Sequence, residues 1–372
     1  MNYSAALTAY TDLKAIQRLI LNIQKNSTFW GVHGFSILRS VCIILDEIFK
    51  EFFHDTLPKE NEEKITQIRN TVHLFVKGKG KNKIVLDKVL KYHINAFGED
   101  TNNIGFYMDR SKRVVGSTLF STFILMNTDL LPNPNIKSEK ESGEKMFEFA
   151  KYLGELSVVL SNYLENEILY SINFNIDEVI NKENLETKDV NYKYLFKSED
   201  GKQNIFKIRL IFNLQEITDF LWLKEKYYDY LSNKELIDEY LLLRIAAIKI
   251  DEVMDNLFNL QNFFRKEFNH WNSCSENKIS LLLKIYNERF EKEFCKLRNM
   301  LHYNMESTDP TKNFLGYINK QTRDKPEYIN FMINTALNDF FIPLYNEIEE
   351  YLNISNIYTI PKWKILIGRL MK

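Results

Sequence analysis

Two hydrophobic periods run along this chain. Through most of it, apolar residues return every three or four positions, the spacing of one helix face. Leu13, Ile16, Ile20 and Ile23 predict a helix over 5–25. Ile37, Val41, Ile44, Leu45, Ile48 and Phe52 predict another over 35–53. Pro58 begins a break. Ile65, Ile68, Val72 and Phe75 predict a helix over 60–76, followed by a loop at 77–83 and a helix over 84–97. Residues 110–131 fit helix and strand equally. Pro132-Asn133-Pro134-Asn135 reads as a boundary. A long helix is expected over 138–170. The period then falls to two. Alternating segments at 192–196 and 205–212 flank Ser198-Glu199-Asp200-Gly201-Lys202, and Asp-Gly in that setting predicts a β-hairpin. Helical spacing resumes over 215–231, 234–268, 276–304 and 326–353, with a short piece near 361–371. Phe290, Phe294, Leu297 and Leu301 form the apolar stripe of the 276–304 helix.

The pattern predicts a mainly α fold. Two helical bundles, 1–134 and 233–372, flank a middle segment, 135–232, that carries the long helix and a small β-hairpin. Scarce breakers, 12 Gly and 7 Pro in 372 residues, favour long helices. A net charge of −1 gives no global reason for binding a polyanion, so any such site must be local. Cys42, Cys274 and Cys295 show neither a disulfide framework nor zinc-ligand spacing, which suits a reducing cytoplasm. Neither a signal peptide nor a stretch of membrane-spanning length is visible. The expectations are a cytoplasmic protein, no membrane partner, no metal and no cofactor.

One short pattern occurs twice. Ile68-Arg69-Asn70-Thr71-Val72-His73 lies near the front and Leu297-Arg298-Asn299-Met300-Leu301-His302 near the back. Both read aliphatic, Arg, Asn, any residue, aliphatic, His. With 12 Arg, 39 Asn and 6 His, a shuffled chain would hold roughly 0.02 copies of Arg-Asn-x-x-His. Each copy falls in the last turns of an amphipathic helix. On a helix, Arg and His at i and i+4 stand one above the other. Arg holds phosphate in a planar fork and His moves protons near neutral pH, so the pair suggests phosphodiester chemistry. The imidazole takes the proton of a ribose 2′-hydroxyl or gives one to the leaving oxygen, and the guanidinium stabilises the charge on phosphorus, with no metal required. A structural role competes: Arg and His near a helix C-terminus also favour its dipole.

At these residues the chain resembles the HEPN superfamily (higher eukaryotes and prokaryotes nucleotide-binding). Its members are helical bundles, and many are metal-independent ribonucleases of toxin, abortive-infection and anti-phage systems. The family signature is Arg, a polar residue that is often Asn, then His. Two such motifs meet across a dimer to form one site. The resemblance implies Arg69, Asn70, His73, Arg298, Asn299 and His302 as catalytic residues. It also implies RNA as substrate, products ending in a 2′,3′-cyclic phosphate and a 5′-hydroxyl, and an antitoxin, a regulatory protein or a second copy as partner. Three residues separate Arg from His here, where the family usually has four to six. Two outcomes stay open on that account: an active endoribonuclease, and a catalytically silent relative that binds RNA, nucleotide or a partner protein. Arg265 and His270 match the wider spacing, but Lys266 follows the Arg, and the two would point about 140° apart on a helix.

Lys77, Lys79, Lys81 and Lys83 alternate with Gly78, Gly80 and Asn82 just past His73. They suit an RNA-backbone contact or a solvated loop. Lys312, Lys320 and Arg323 are a milder equivalent after the second motif. Tyr303, next to His302, is placed to stack on a base or to close the rim of the core.

Overall fold

The computed structural model describes residues 2–24, 32–53, 63, 65–66, 103–117, 139–177, 186–196 and 201–357. Helix α1 (Tyr3–Gln24) is central to it. Asn2 caps its start by accepting from the Ser4 and Ala5 amides, at 3.0 and 3.2 Å. Leu13, Ile16 and Ile20 are fully enclosed, each such side chain contributing about 1.5–3 kcal/mol of hydrophobic stabilisation. α1 packs along α3 (Glu139–Ile168) and also touches α2 (Val32–Ile48), α6 (Leu236–Phe263) and α10 (Phe314–Asp324). The buried apolar side chains form one contiguous cluster among the described residues. Within the described residues, no helix is long and apolar enough to cross a membrane.

Mainly helical architecture with a small antiparallel sheet is what the pattern predicts, but the strands lie elsewhere than expected. β1 (Asn103–Met108) pairs with β2 (Val114–Ser117) on one side and β3 (Glu186–Asn191) on the other, in the order β2-β1-β3. β1 and β2 form the hairpin, with a bulge between Tyr107 and Met108. β3 runs in register from Asn191 opposite Asn103 to Glu186 opposite Met108. The turn is closed by Asp109, whose Oδ1 accepts from the amides of Ser111 and Arg113.

The hairpin expected across Asp200-Gly201 is not formed. Residues 192–195 make a one-turn helix, α4 (Tyr192–Leu195), and α5 (Gly201–Trp222) is a single helix. From Phe206 to Trp222 nearly every side chain of α5 is buried. A helix buried on all sides shows no clean stripe, and a short apolar window within it alternates as a strand does.

The back third is broken more finely than its periodicity predicts. The 234–268 stretch divides at Phe264 into α6 and α7 (Arg265–Cys274). The 276–304 stretch becomes α8 (Lys278–Ile285), a π-turn at Tyr286–Phe290 and α9 (Glu291–Asn299). After α10 come α11 (Tyr328–Asn334), a second π-turn at Thr335–Phe341 and α12 (Ile342–Leu352). A π-turn adds one residue and rotates the apolar stripe, yet leaves the three-and-four spacing almost intact.

Buried polar groups fix how these helices meet. Asp12 of α1 is fully buried. It accepts from the Tyr240 hydroxyl at 2.8 Å, from Arg244 Nη2 at 2.9 Å and from the Tyr303 hydroxyl at 2.6 Å. Arg18, one turn and a half further on, holds Asp238 with two nitrogens, at 2.8 and 3.0 Å, and the Asn233 carbonyl at 2.7 Å. Removing one partner of such a pair strands the other without water. Asp12→Ala should therefore cost about 3–5 kcal/mol, read as a lower urea midpoint at unchanged slope. A loss below about 1 kcal/mol, the scale of a surface pair, would show that Arg244 is not held by Asp12.

Candidate functional site

The back motif lies at the end of α9. Phe294 and Leu297 anchor its inner face at 0% exposure. Glu291 and Glu293 open the helix while Lys296 and Arg298 close it, each charge placed favourably for the helix dipole. The α-helical bonding stops at Asn299. Beyond it the Leu301 amide donates to the Arg298 carbonyl at 3.0 Å and the His302 amide to the Asn299 carbonyl at 3.1 Å. These are three-residue bonds, and they wind the chain at about 120° per residue instead of 100°.

Tightening the last turn separates the two side chains expected to stack. Arg298 turns to α6, with its Nε 3.3 Å from Asp251 Oδ2, and its Nη1 donates to Asn299 Oδ1 at 3.1 Å. His302 turns to α2, with Nδ1 2.7 Å from Glu47 Oε2. Asn299 thus orients the guanidinium.

The His302–Glu47 pair has a definite polarity. The Glu47 side chain is 5% exposed and that of His302 54%. A buried carboxylate at this distance fixes Nδ1 as the donor, and in the neutral imidazole Nε2 is then the acceptor. Glu47 is in turn 3.9 Å from Lys50. On the other side of His302, Tyr303 plunges into the core. It is 4% exposed, bonds Asp12, packs edge-on against Phe52 with ring centres 5.5 Å apart, and has Arg244 5.9 Å from its ring. Burial, reinforced by Asp12, pushes its phenol far above the ordinary value, so it stays a donor. The expected stacking of Tyr303 on a base is therefore corrected: both faces of its ring belong to the core rim.

His302 opens onto a cleft of about 630 Å³ between α9, the turn at Pro310–Lys312 and α10. Lys292, Lys296, Lys312 and Lys320 line it together with Asn299. Lys292, Lys296 and Asn299 stand at i, i+4 and i+7, one face of α9. That spacing was readable in the sequence but is overshadowed there by the motif. Arg323 is not among the lining residues. The far wall is held by Asn313, which is 1% exposed. Its Oδ1 accepts from the Asn304 amide at 2.9 Å and its Nδ2 donates back to the Asn304 carbonyl. Gly316 lets α10 meet the Pro310 turn: a Cβ there would lie 2.1 Å from the Pro310 carbonyl oxygen.

No family model, no curated protein and no solved structure matches this chain. The likeness to the HEPN superfamily rests on the two motifs and the helical layout around them. Arg69, Asn70 and His73, and with them Lys77, Lys79, Lys81 and Lys83, lie outside the described residues. Arg265 and His270 are exposed on α7, and His270 Nε2 lies 4.0 Å from Cys274 Sγ. Within the described residues, no group of three or more His, Cys, Asp or Glu is placed to hold a metal ion.

Glu47, Asp251 and Asp12 are the residues that sequence reasoning missed. Asp12 is the one acid of α1, Glu47 and Asp251 sit among other acids of their helices, and nothing local connects any of them to residues near 300.

Asp251 also receives the Cys295 thiol, at 3.2 Å. Burial and that bond push the thiol up to about 12, so it stays protonated near neutral pH. Cys295 should resist iodoacetamide at pH 8 although it lines the cleft, and buried Cys42 should resist too, while exposed Cys274 alkylates. Peptide mapping after a short exposure checks this. Alkylation of Cys295 as fast as Cys274 would mean that its bond to Asp251 is not kept.

Proposed function

We propose that this chain is a metal-independent endoribonuclease in which His302 moves the proton. The observation that carries the reading is a half-exposed imidazole, fixed by the buried Glu47, on the edge of a cleft lined by four lysines. His302 Nε2 takes the proton of a ribose 2′-hydroxyl. The freed oxygen attacks phosphorus, the bond to the 5′-oxygen breaks, and proton transfer to that oxygen completes a 5′-hydroxyl end beside a 2′,3′-cyclic phosphate. The lysines stabilise the charge that builds on phosphorus. Arg298, held by Asp251, sets the end of α9. The resemblance assigns Arg69, Asn70 and His73 the complementary half of the site, within one chain or across a homodimer. A role in defence or as a toxin, with an antitoxin or regulatory partner, rests on that resemblance alone.

One observation favours a second reading. The Arg298 guanidinium is engaged on α6 and does not line the cleft, as suits a catalytically silent relative that binds RNA or nucleotide.

Incubating the purified chain with end-labelled RNA in EDTA separates the two. Cleavage should persist, and His302→Ala should lower it roughly 10²–10⁴-fold. Glu47→Gln should lower kcat while leaving RNA affinity unchanged, since Glu47 acts through the imidazole. RNA binding without cleavage would install the silent reading. Cleavage lost on chelation and restored by magnesium would refute the metal-free route.

A further inference from the structure

The charges around the cleft are out of proportion to one phosphodiester. The ammonium groups of Lys292, Lys312 and Lys320 make no hydrogen bond or ion pair among the described residues. The Lys296 ammonium lies 3.8 Å from the centre of the Tyr317 ring, which holds it without neutralising it. No acid lines the cleft. Two carboxylates stand nearby, and Asp309 is close enough to Lys312 and Lys320 for their charges to help hold it ionised. Glu293 accepts from the hydroxyls of Tyr317, at 2.6 Å, and Tyr328. Asp309 accepts from the Thr311 amide at 2.9 Å and its hydroxyl at 2.8 Å. Of the buried cations, Arg18, Arg39, Arg244 and Lys249 are paired with carboxylates, and Arg209 donates to Asn256 Oδ1 at 3.2 Å. Four ammoniums around one concavity with no acid in its lining are a local excess of positive charge in a chain of net charge −1.

The volume sets the second condition. A cleft of about 630 Å³ is of the size that takes one small ligand. A strand of RNA brings one charge per nucleotide, so the piece that fits would leave most of the lysines unmatched. A compact anion with three or more phosphate charges matches them. Beside the lysines, Asn299 and Gln321 line the wall. The Asn299 carbonyl is turned to Arg298, which leaves its Nδ2 for a ligand. The Gln321 side chain makes no hydrogen bond among the described residues. Carboxamides can read a sugar hydroxyl or a base edge.

We infer that the cleft binds a 5′-triphosphate, with Lys292, Lys296, Lys312 and Lys320 around the phosphate chain and Asn299 and Gln321 on the nucleoside. The same group is carried by a free nucleoside triphosphate and by the triphosphorylated 5′ end of an RNA. The inference concerns what the cleft holds, and it stands whether or not His302 cuts RNA.

Calorimetry on the full chain tests it with AMP, ATP and inorganic tripolyphosphate. A 2′-O-methyl oligonucleotide, which lacks the attacking hydroxyl and cannot be cut, is tested with a 5′-triphosphate and with a 5′-hydroxyl end. ATP and tripolyphosphate should bind at least about tenfold more tightly than AMP, since each further phosphate adds charge-assisted bonds. Lys312→Ala with Lys320→Ala, both on exposed side chains, should weaken ATP at least about tenfold. Lys266→Ala on α7 should change nothing. Tight binding of the triphosphorylated oligonucleotide beyond that of ATP assigns the RNA end as source, and equal binding assigns the free nucleotide. Equal affinity for AMP and ATP would overturn the inference. So would an oligonucleotide that binds equally with either end while ATP does not bind. Indifference of ATP to the double variant would overturn it too.

Discussion

Asp12 is the constraint on which the site depends. One buried carboxylate accepts from a tyrosine and an arginine of α6 and from the tyrosine that follows His302. A carboxylate in an apolar interior is tolerated only when its acceptor sites are filled. Three donors from two segments can fill them in only one arrangement. Tyr303 must point inward to reach Asp12, and His302, one residue earlier, is thereby turned outward. Arg244 completes the arrangement by lying 4.4 Å over Phe314, the first residue of the helix that forms the far wall of the cleft. The position of the imidazole is thus decided by an acid nearly three hundred residues away.

A second buried group of charges steadies the other side of the imidazole. Arg39 on α2 bridges Glu216 of α5 and Glu252 of α6, and Lys249 reaches the same Glu216. Burial would raise Glu216, but Arg39 and Lys249 outweigh it and hold the carboxyl below its ordinary value. For Glu252 burial prevails and the carboxyl is raised, against the pull of Arg39. One residue along α6 is Asp251, the partner of Arg298 and Cys295; two turns along α2 is Glu47, the partner of His302. The two acids that separate Arg298 from His302 therefore ride on helices whose registry is fixed by Arg39. Sliding α2 past α6 would break the buried bridges before it moved the dyad.

How much of this was legible varied with the length scale. Helices with one apolar stripe were read closely: 5–25 is Tyr3–Gln24 and 138–170 is Glu139–Ile168. α5 reads partly as a strand in the sequence because burial on every side hides its period. The apolar pattern carries α9 to residue 304 because Leu301 continues the stripe after the helix has tightened at Met300. The motif residues Arg298, Asn299 and His302 were found; their partners were not. Glu47 and His302 are 255 residues apart, and no local pattern encodes a contact of that range. The basic wall was half legible, since Lys312 and Lys320 follow the motif while Lys292 and Lys296 are masked by the apolar stripe between them.

The division between Arg298 and His302 carries a mechanistic consequence. In a helix that ran on through residue 302, guanidinium and imidazole would share one face and one ligand. Here three-residue bonding after Asn299 sends them to different carboxylates, Asp251 and Glu47, and only His302 lines the cleft. In the proposed reaction, proton transfer and charge stabilisation would fall to different parts of the fold. The imidazole is positioned from beneath by α2, while positive charge comes from lysines on α9, α10 and the turn between them. Ammoniums on flexible stems impose less geometry than a fixed guanidinium fork. If the cleft binds the anion proposed for it, a site built this way would accommodate it by charge more than by shape, and discrimination would have to come from the neutral carboxamides beside the lysines.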